Sequence, residues 1–240
     1  MYAERPFHSG GLDGGFTGRL APRARRRLFS LGTPTRFVRG AHLFREGDSS
    51  THLLLIARGR VKVTRVAENG YAAILAIRGP GDLVGEMAAV DGGTRSATVT
   101  ALDPVAALVI AGTAFNDFID QEQGAGLALA ELMASRLRFS DRQRLEFAAF
   151  PVQRRLSLVL LELERWYGVS AADDPAHRDI DLALTQPDLA GLIGSSPDST
   201  AKAIQDLARR GIVRNSRRHV TIIDRVALAE IARGNPRFCA

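Results

Sequence analysis

The strongest constraint on the fold of this 240-residue chain is a change of sequence pattern at Gly112. From about Phe37 to that point, apolar residues come in short runs separated by Gly, Asp and Asn. Beyond it, apolar residues recur at intervals of three and four, which is the period of an α-helix. The sequence therefore predicts an α+β protein whose β-rich part precedes its helical part.

The β-rich part predicts a small antiparallel barrel or jelly roll. Asn69-Gly70 lies between two alternating apolar runs and is the strongest hairpin signal in the chain. Many short strands separated by turns are typical of such a fold. The predicted strands comprise residues 42–44, 53–56, 61–66, 72–77, 83–84, 96–101 and 105–110.

A helical stretch that includes a long helix is predicted over residues 113–150, and Pro151 interrupts it because proline cannot continue the hydrogen-bond ladder. Its apolar stripe is too long to be covered by the small domains beside it, so we expect a parallel two-helix seam and a homodimer. The predicted organisation is a flexible tail (1–18), a jelly-roll domain (19–122), a dimerisation helix (123–150) and a C-terminal domain (151–240). The stripe consists of Leu127, Leu132, Met133, Leu137 and Leu145.

The composition excludes several classes of protein. Apolar residues make up 45% and charged residues 24%, as in an ordinary folded domain. The single cysteine, Cys239, excludes a disulfide within the chain and a cysteine-ligated zinc or iron–sulfur site. No apolar run is long enough to span a membrane, and the first 18 residues lack the apolar segment of a secretory signal, so we expect a cytoplasmic protein.

An enzyme is not expected either. The five histidines are scattered without metal-ligand spacing, and no nucleophile–base set is recognisable. The paired acids Glu162/Glu164 and Asp173/Asp174 lie on a predicted helix face and in a predicted loop, away from any recognisable pocket. The net charge of +6, carried almost entirely by arginine, is compatible with nucleic acid, an anionic ligand or an acidic partner, and equally with GC-rich coding.

Residues 81–97 have the chemistry of a phosphate site. A Gly85-Glu86 turn precedes a short predicted helix, and Arg95-Ser96 then leads into a strand. Free N–H groups at the start of a short helix favour an anionic phosphate. Arg95 offers a fork of donors to phosphate oxygens, and Glu86 can accept a hydrogen bond from a sugar hydroxyl.

Residues 184–207 predict a helix-turn-helix. Thr185 is placed to cap a first helix, which Gly194 ends because glycine can adopt a positive φ. Ser196 caps a second helix, and Pro197 and Asp198 suit its first turn. A wing is predicted to follow, formed by residues 211–214 and 219–223 around a turn at 215–217. The residues expected to face inward are Leu189, Ile193, Ala203 and Leu207.

The charge around the second of these helices favours DNA. Between residues 198 and 218 the only acids are Asp198 and Asp206, whereas basic residues outnumber them. We expect Ser199, Thr200 and Lys202 to face the bases, because they lie on the N-terminal, exposed side of the helix, opposite the predicted inward residues. The basic residues are Lys202, Arg209, Arg210, Arg214, Arg217 and Arg218, and the arginines at 209, 214, 217 and 218 are expected on phosphates.

These motifs, in this order, resemble the catabolite activator / FNR (CRP/FNR) family of bacterial transcription regulators. The run GDLVGEMAAVDGGTRSATVTA looks like the phosphate-binding cassette of cyclic-nucleotide-binding domains, and the resemblance extends over about residues 37–223. It implies a homodimer with a sensor jelly roll, a dimerisation helix and a C-terminal winged helix-turn-helix. It also implies cyclic AMP as the favoured effector, with neither metal nor iron–sulfur cluster. The implied partners are double-stranded DNA with a near-palindromic operator and RNA polymerase.

The resemblance also implies roles for individual residues in the sensor. Arg95 and Ser96 are expected at the cyclic phosphate, and Gly85 and Glu86 at the ribose. Relatives use two adjacent hydroxyl residues of the long helix to reach the base, one of them across the dimer. The matching residues here are Ser140 and Asp141, so the second carries a carboxylate in place of a hydroxyl. The full expected nucleotide site is Val63, Leu75, Ala76, Gly85, Glu86, Met87, Arg95, Ser96, Arg136, Ser140 and Asp141.

In the second helix, well-known members carry an Arg-Glu pair and a later Arg that read G and C. Here the matching residues are Pro197, Asp198 and Lys202, so the preferred DNA sequence is expected to differ. Asp198 can accept from cytosine N4 and Lys202 can donate to guanine, whereas Pro197 can do neither. The full expected DNA-contacting set is Thr185, Ser196, Asp198, Ser199, Thr200, Lys202, Arg209, Arg214, Arg217 and Arg218.

Three alternatives stay open. A regulator of this type can keep the cassette fold and bind DNA without a nucleotide, or it can respond to a different effector. The chain can also be a cyclic-nucleotide-binding regulatory subunit of another protein, although the predicted DNA-binding segment argues against that function.

Overall fold

A computed structural model describes residues 15–216 and 219–235. The chain divides into two compact units. Unit 1 runs to Arg65 and resumes over Leu75–Ser140, whereas unit 2 consists of Val66–Ile74 and the chain from Asp141 onward. The expectations for Arg217, Arg218 and Cys239 fall outside the described residues.

Unit 1 begins with helical structure. A 3-10 helix (Thr17–Arg19) and α1 (Pro22–Ser30) precede the strands. Phe16 and Thr17 are fully buried, so the predicted flexible tail of residues 1–18 is wrong at its end. The strands are β1 (Thr33–Phe37), β2 (His42–Phe44), β3 (Leu53–Arg58), β4 (Val61–Val66), β5 (Ala72–Arg78), β6 (Leu83–Val84), β7 (Thr98–Ala101) and β8 (Val105–Ile110).

These strands form two four-stranded antiparallel sheets, ordered β1-β8-β3-β6 and β2-β7-β4-β5. Val63 of β4 pairs with Val99 of β7. Both side chains pack into an apolar core that the two sheets share and that also contains Leu54 and Ile56. The predicted jelly roll is therefore confirmed. Strand β1 was not predicted from the sequence. Its Pro34 has no N–H group to donate to a neighbouring strand, which is compatible only with the position of β1 at the edge of the sheet.

Helices complete unit 1. α2 (Glu86–Asp91) lies between β6 and β7, and α3 (Gly112–Gln121) and α4 (Ala125–Ala149) follow β8. The residues of α4 after Ser140 belong to unit 2. A second apolar core joins α1, α3 and the first turns of α4 through Leu28, Phe115, Phe118 and Leu132.

The long helix α4 has two apolar faces rather than one stripe. Ala125, Ala128 and Leu132 are buried in unit 1, and Met133 packs against the same core. Leu127, Leu137 and Leu145 are 63–67% exposed. At about 100° per residue, the exposed and buried sets lie on opposite sides of the helix. The prediction that Leu132 belongs to the same stripe as Leu127, Leu137 and Leu145 is therefore wrong, whereas the half-buried Met133 lies only about 40° from Leu137 around the helix.

Unit 2 consists of helices around one small sheet. The sheet is antiparallel and ordered β11-β12-β10-β9, and the helices share a core that includes Leu160, Ile193 and Leu207. The segment 168–178, predicted as a loop, contains the short strand β9 and the first residue of β10. The elements are α5 (Val152–Tyr167), β9 (Gly168–Ser170), β10 (Arg178–Ile180), α6 (Gln186–Ile193), α7 (Pro197–Arg209), β11 (Val213–Ser216), β12 (His219–Ile222) and α8 (Arg225–Arg233).

Candidate functional sites

Arg95 is a buried cation at the centre of the predicted phosphate site, with 3% of its surface exposed. Its Nε donates to Ser50 Oγ at 3.1 Å, and its terminal nitrogens donate to the carbonyls of Gly85, at 2.8 Å, and His52. The Phe44 ring lies 3.8 Å from the guanidinium carbon. Within the described residues no carboxylate contacts Arg95, so this guanidinium can take an anionic ligand as its counter-ion.

The electrostatics of Arg95 agree with that geometry. Burial lowers the pKa of Arg95, because the charged form is poorly solvated. Glu86 and Asp48 raise the pKa, although by less than burial lowers it. A buried positive charge that nearby acids compensate only in part favours binding of a negative group.

Gly85 makes the close packing around Arg95 feasible. Its φ is +82°, in the left-handed region that favours glycine. A Cβ here would lie 2.6 Å from Arg95 Nη1 and 2.8 Å from the Phe44 ring. Any larger residue would displace the arginine, so the Gly-Glu dipeptide is a geometric requirement of the site.

Glu86, the first residue of α2, contacts the long helix. It is 5% exposed and forms an ion pair with Arg136 of α4. Arg136 also donates to the Leu83 carbonyl at 2.9 Å, while its Nε is buried without a hydrogen-bond partner. Glu86, which is expected at the ribose, and Arg136, which is also expected in the nucleotide site, are therefore in contact.

The other expected nucleotide residues are distributed around this cluster. Ser96 and Met87 are exposed, with Ser96 Oγ 3.7 Å from Met87 Sδ. Leu75 is 38% exposed and Ala76 is buried. Consecutive strand residues point to opposite faces, so these two cannot line the same side of one pocket. Two further expected residues, Ser140 and Asp141, are exposed one turn beyond Arg136 on α4.

Sequence analysis missed the inner partners of Arg95. Ser50 and His52 lie in the segment before β3, more than 40 residues away in the chain, and Phe44 ends β2. The backbone joins these segments: Arg95 N donates to the Asp48 carbonyl at 2.8 Å, and Gly47 N donates to the Arg95 carbonyl at 2.9 Å. No pattern of neighbouring residues in the sequence indicates these contacts, because the partners are far apart in the chain.

In unit 2 the predicted helix-turn-helix is formed by α6 and α7, and its predicted caps are confirmed. Thr185 Oγ1 accepts from Asp188 N at 3.2 Å, and the Asp188 carboxylate accepts from Thr185 N at 2.9 Å. Ser196 Oγ accepts from Ser199 N at 3.1 Å. Gly194 ends α6 with a φ of +60°. The sequence encodes both boundaries locally.

The C-terminal end of α6 is held by side chains from three other segments. Arg155 of α5 donates to the carbonyls of Ile193 at 2.6 Å and Gly194 at 3.0 Å. Tyr71, which belongs to unit 2, donates to the Ala190 carbonyl at 3.2 Å, and Gln143 of α4 donates to the Leu192 carbonyl at 3.4 Å. Carbonyls that lack partners in an isolated helix are thus satisfied, and the turn before α7 is fixed.

One face of α7 is exposed and suited to DNA. Asp198, Lys202, Gln205 and Arg209 recur at intervals of four, three and four, and all are exposed, as is Ser199 beside them. Thr200 is fully buried and its hydroxyl donates to the Ser196 carbonyl at 2.9 Å. The prediction that Thr200 faces the bases is therefore wrong. Gln205 was missed, although its helical spacing from Lys202 indicates the same face.

Two of the arginines expected on phosphates, Arg209 and Arg214, have acidic partners within unit 2. Arg209 and Arg210 lie 3.1 and 3.5 Å from Asp206, which also accepts from Gln153 Nε2 at 2.7 Å. Arg214 of β11 forms a 2.8 Å ion pair with Asp173.

A jelly roll with a phosphate-binding segment, together with a helix-turn-helix and wing, defines the class of transcription regulators that join a sensor to a DNA-binding domain. Comparison with known families agrees. Residues 34–122 match the cyclic nucleotide-binding domain, and residues 154–231 match the Crp-like helix-turn-helix domain. The chain belongs to the CRP/FNR family of transcription regulators.

Several known proteins are similar over most of their length. The chain is 32% identical over 200 residues to the CRP-like cAMP-activated global transcriptional regulator of Mycobacterium tuberculosis, covering 83% of this chain and 88% of that protein. It is 31% identical over 210 residues to the cyclic AMP receptor protein of Thermus thermophilus, covering 87% and 88%. The structure of the c-di-GMP responsive global regulator CLP of Xanthomonas campestris superposes with a TM-score of 0.72, covering 84% of this chain and 99% of that chain at 18% identity, which supports the fold.

Members of this family act by binding DNA rather than by catalysis. In residues 15–216 and 219–235, no helix is long and apolar enough to cross a membrane. The same residues contain no cluster of three or more His, Cys, Asp or Glu side chains able to hold a metal ion.

Proposed function

We propose that this protein is a homodimeric regulator that responds to cyclic AMP and binds a near-palindromic DNA operator. The observation that carries the proposal is Arg95, a buried guanidinium surrounded by carbonyls and an aromatic ring and contacted by no carboxylate of the described chain. A cyclic phosphate supplies the missing counter-ion and further acceptors for its terminal nitrogens. That the two relatives above are named for cyclic AMP supports this nucleotide as the effector.

The neighbouring residues suit the rest of a nucleotide. Glu86 can accept a hydrogen bond from a ribose hydroxyl while Arg136 neutralises its charge. Ser96 is exposed next to Arg95 and can donate its hydroxyl to the phosphate. Calorimetric titration of the full chain with cyclic AMP and cyclic GMP tests the proposal. We expect heat and a thermal shift with cyclic AMP, and no response at millimolar concentration would overturn cyclic-nucleotide sensing.

A second candidate is a regulator that binds DNA without any nucleotide. The observation that favours it is the same cluster, because Gly85, His52 and Ser50 already hold Arg95, and Arg136 already pairs with Glu86. The two functions differ in one measurement. Operator affinity that is equal with and without cyclic AMP supports the nucleotide-independent regulator, whereas an increase on adding cyclic AMP supports the sensor.

The exposed face of α4 supports the homodimer. Leu127, Leu137 and Leu145 are large apolar residues left largely in water, and a second copy of the same helix would cover them. Light scattering at micromolar concentration should give twice the subunit mass. Leu137→Glu should give a monomer, because it would bury two facing carboxylates in the seam. A monomeric wild type would contradict this assembly.

A twofold dimer with one α7 per subunit implies an operator with two inverted half-sites, about 34 Å apart. Selection from random DNA tests this, and a selected set without inverted symmetry would overturn it. RNA polymerase, as the enzyme whose action such a regulator alters, belongs to the same proposal.

A further inference from the structure

In the wing of unit 2, formed by β11 and β12, the described residues Arg214 and His219 lie next to acidic side chains from an earlier segment of the same chain. Arg214 of β11 pairs in register with Thr221 of β12, which pairs in register with Asp179 of β10, so the three side chains lie side by side on one face of the sheet. The Thr221 hydroxyl donates to Asp179 Oδ1 at 2.6 Å, and His219 Nε2 lies 3.1 Å from the same oxygen. Wing and acids form one polar row.

Asp173, in the loop between β9 and β10, contacts this row at Arg214. Its Oδ2 lies 2.8 Å from Arg214 Nη1, and both side chains are about half exposed. The hydrogen bond lowers the pKa of Asp173 and raises the pKa of Arg214. The adjacent Asp174 is oriented differently: its Oδ1 accepts from Ala176 N at 2.8 Å, and its Oδ2 lies 3.7 Å from His177 Nε2.

We propose that Asp173 is a positioning residue that competes with DNA phosphates for Arg214 and thereby lowers the affinity of the wing for DNA of any sequence. The inference rests on the proposed DNA binding. A carboxylate and a phosphate present similar pairs of oxygens to a guanidinium, so one must displace the other. The exposed ion pair contributes little to stability, yet it neutralises a charge that would otherwise attract the phosphate backbone.

The consequence concerns specificity. A wing arginine contacts phosphates, which are the same in every sequence, and so contributes to non-specific binding. Holding Arg214 in the ion pair lowers the affinity for the many competing non-specific DNA sites, while the base contacts made by α7 stay unchanged. Asp173 therefore increases the share of the binding free energy that depends on sequence.

The test compares Asp173→Asn with Asp174→Asn, which removes the same charge from the same loop without releasing Arg214. Binding to a fluorescent duplex of mixed sequence is measured by anisotropy over a range of salt concentrations. We expect Asp173→Asn to bind about two- to fivefold more tightly near physiological salt. The slope of log K against log salt should steepen by about 0.9, the value for one added phosphate contact. Asp174→Asn should leave the slope unchanged.

Arg214→Ala completes a double-mutant cycle. If Asp173 acts through Arg214, the gain from Asp173→Asn disappears in the Arg214→Ala background. An equal gain in Asp174→Asn, a gain that survives Arg214→Ala, or no gain at all would each overturn the inference. Failure of the wild type to bind the duplex even at low salt would instead overturn the proposed DNA binding. Trp166 fluorescence, from the single tryptophan of the chain, confirms that each variant is folded.

Discussion

At the scale of single residues, Arg95 combines a structural and a binding role. Its donors cross-link Ser50, His52 and Gly85, which come from two separate segments, and its charge is left without a contacting carboxylate in the described chain. The sequence indicated the chemistry of this residue because Gly-Glu and Arg-Ser frame a short helix. It did not indicate the cross-link, because hydrogen bonds to distant carbonyls leave no pattern in the sequence.

Arg95→Ala and Ser96→Ala separate the two roles. The first removes three hydrogen bonds from a buried charged donor and should lower the free energy of unfolding by about 2–4 kcal/mol and abolish the cyclic AMP heat. The second removes an exposed hydroxyl and should weaken cyclic AMP binding while the melting curve stays that of the wild type. Circular dichroism melts and calorimetry measure both. An Arg95→Ala protein as stable as the wild type would contradict the cross-link.

Thr200 and Lys202 form a second contrasting pair. Thr200→Val should lower stability, since it removes the buried hydroxyl bond to Ser196, yet should leave base preference unchanged. Lys202→Ala should keep stability and relax the preference at one base pair by about 1–3 kcal/mol. Trp166 fluorescence in urea and binding to singly substituted operators measure the two effects. A change in base preference on Thr200→Val would contradict this assignment and would show that Thr200 contacts DNA.

Thr200 was predicted to be exposed because it lies on the N-terminal side of the helix, opposite the predicted inward residues Ala203 and Leu207. The structure satisfies its hydroxyl one turn back along its own helix, so the methyl group can pack inward. By contrast, Thr185 and Ser196 were assigned correctly as caps, because a cap depends only on the residues within one turn.

At the scale of elements, α4 shows what periodicity can and cannot reveal. The spacing of its apolar residues predicted a helix, but both of its faces are apolar over the first turns. Only packing distinguishes the buried Leu132 from the exposed Leu127. The three-residue strand β9 was missed for another reason, since so short a strand has no measurable alternation.

The held end of α6 leads to a prediction at this scale. Arg155→Met removes a cation that donates to two terminal carbonyls of the helix–turn segment and should lower the stability of unit 2 by about 2–3 kcal/mol. Arg155→Lys keeps the charge at the helix C-terminus and should recover part of the loss. Urea unfolding followed by Trp166 fluorescence measures both. Equal stability of Arg155→Met and the wild type would show that α6 is held by its apolar contacts alone.

At the scale of the molecule, the fold class and the order of sensor, helix and helix-turn-helix were predictable from the sequence, because each depends on a local pattern repeated over many residues. The environment of Glu162 was not. The pKa of this α5 carboxyl is raised from 4.5 to about 7, chiefly by burial and also by Glu146, although Arg142 and Arg165 lower it. Burial also raises the pKa of Glu146. These groups come from two helices that the sequence gives no reason to pair.

The raised pKa makes stability depend on pH. The folded protein binds the Glu162 proton more tightly than the unfolded chain, so the free energy of unfolding should fall as pH rises from about 4.5 to about 7. The loss should be about 1–3 kcal/mol. Glu162→Gln should remove that part of the pH dependence and be more stable than the wild type at pH 8. Urea unfolding at several pH values measures it, and parallel pH profiles of the two proteins would contradict the assignment.

The two faces of α4 also restrict how the length of this protein can change during evolution. Leu127 and Leu145 are 18 residues apart, five full helical turns, and therefore share one side of the helix. Inserting a single residue between them would turn everything beyond it by about 100° and separate the two leucines. An insertion of seven residues would shift their alignment by only about 20°. Descendants of this chain that lengthen α4 should therefore do so by numbers of residues that nearly restore the alignment, such as seven or eleven.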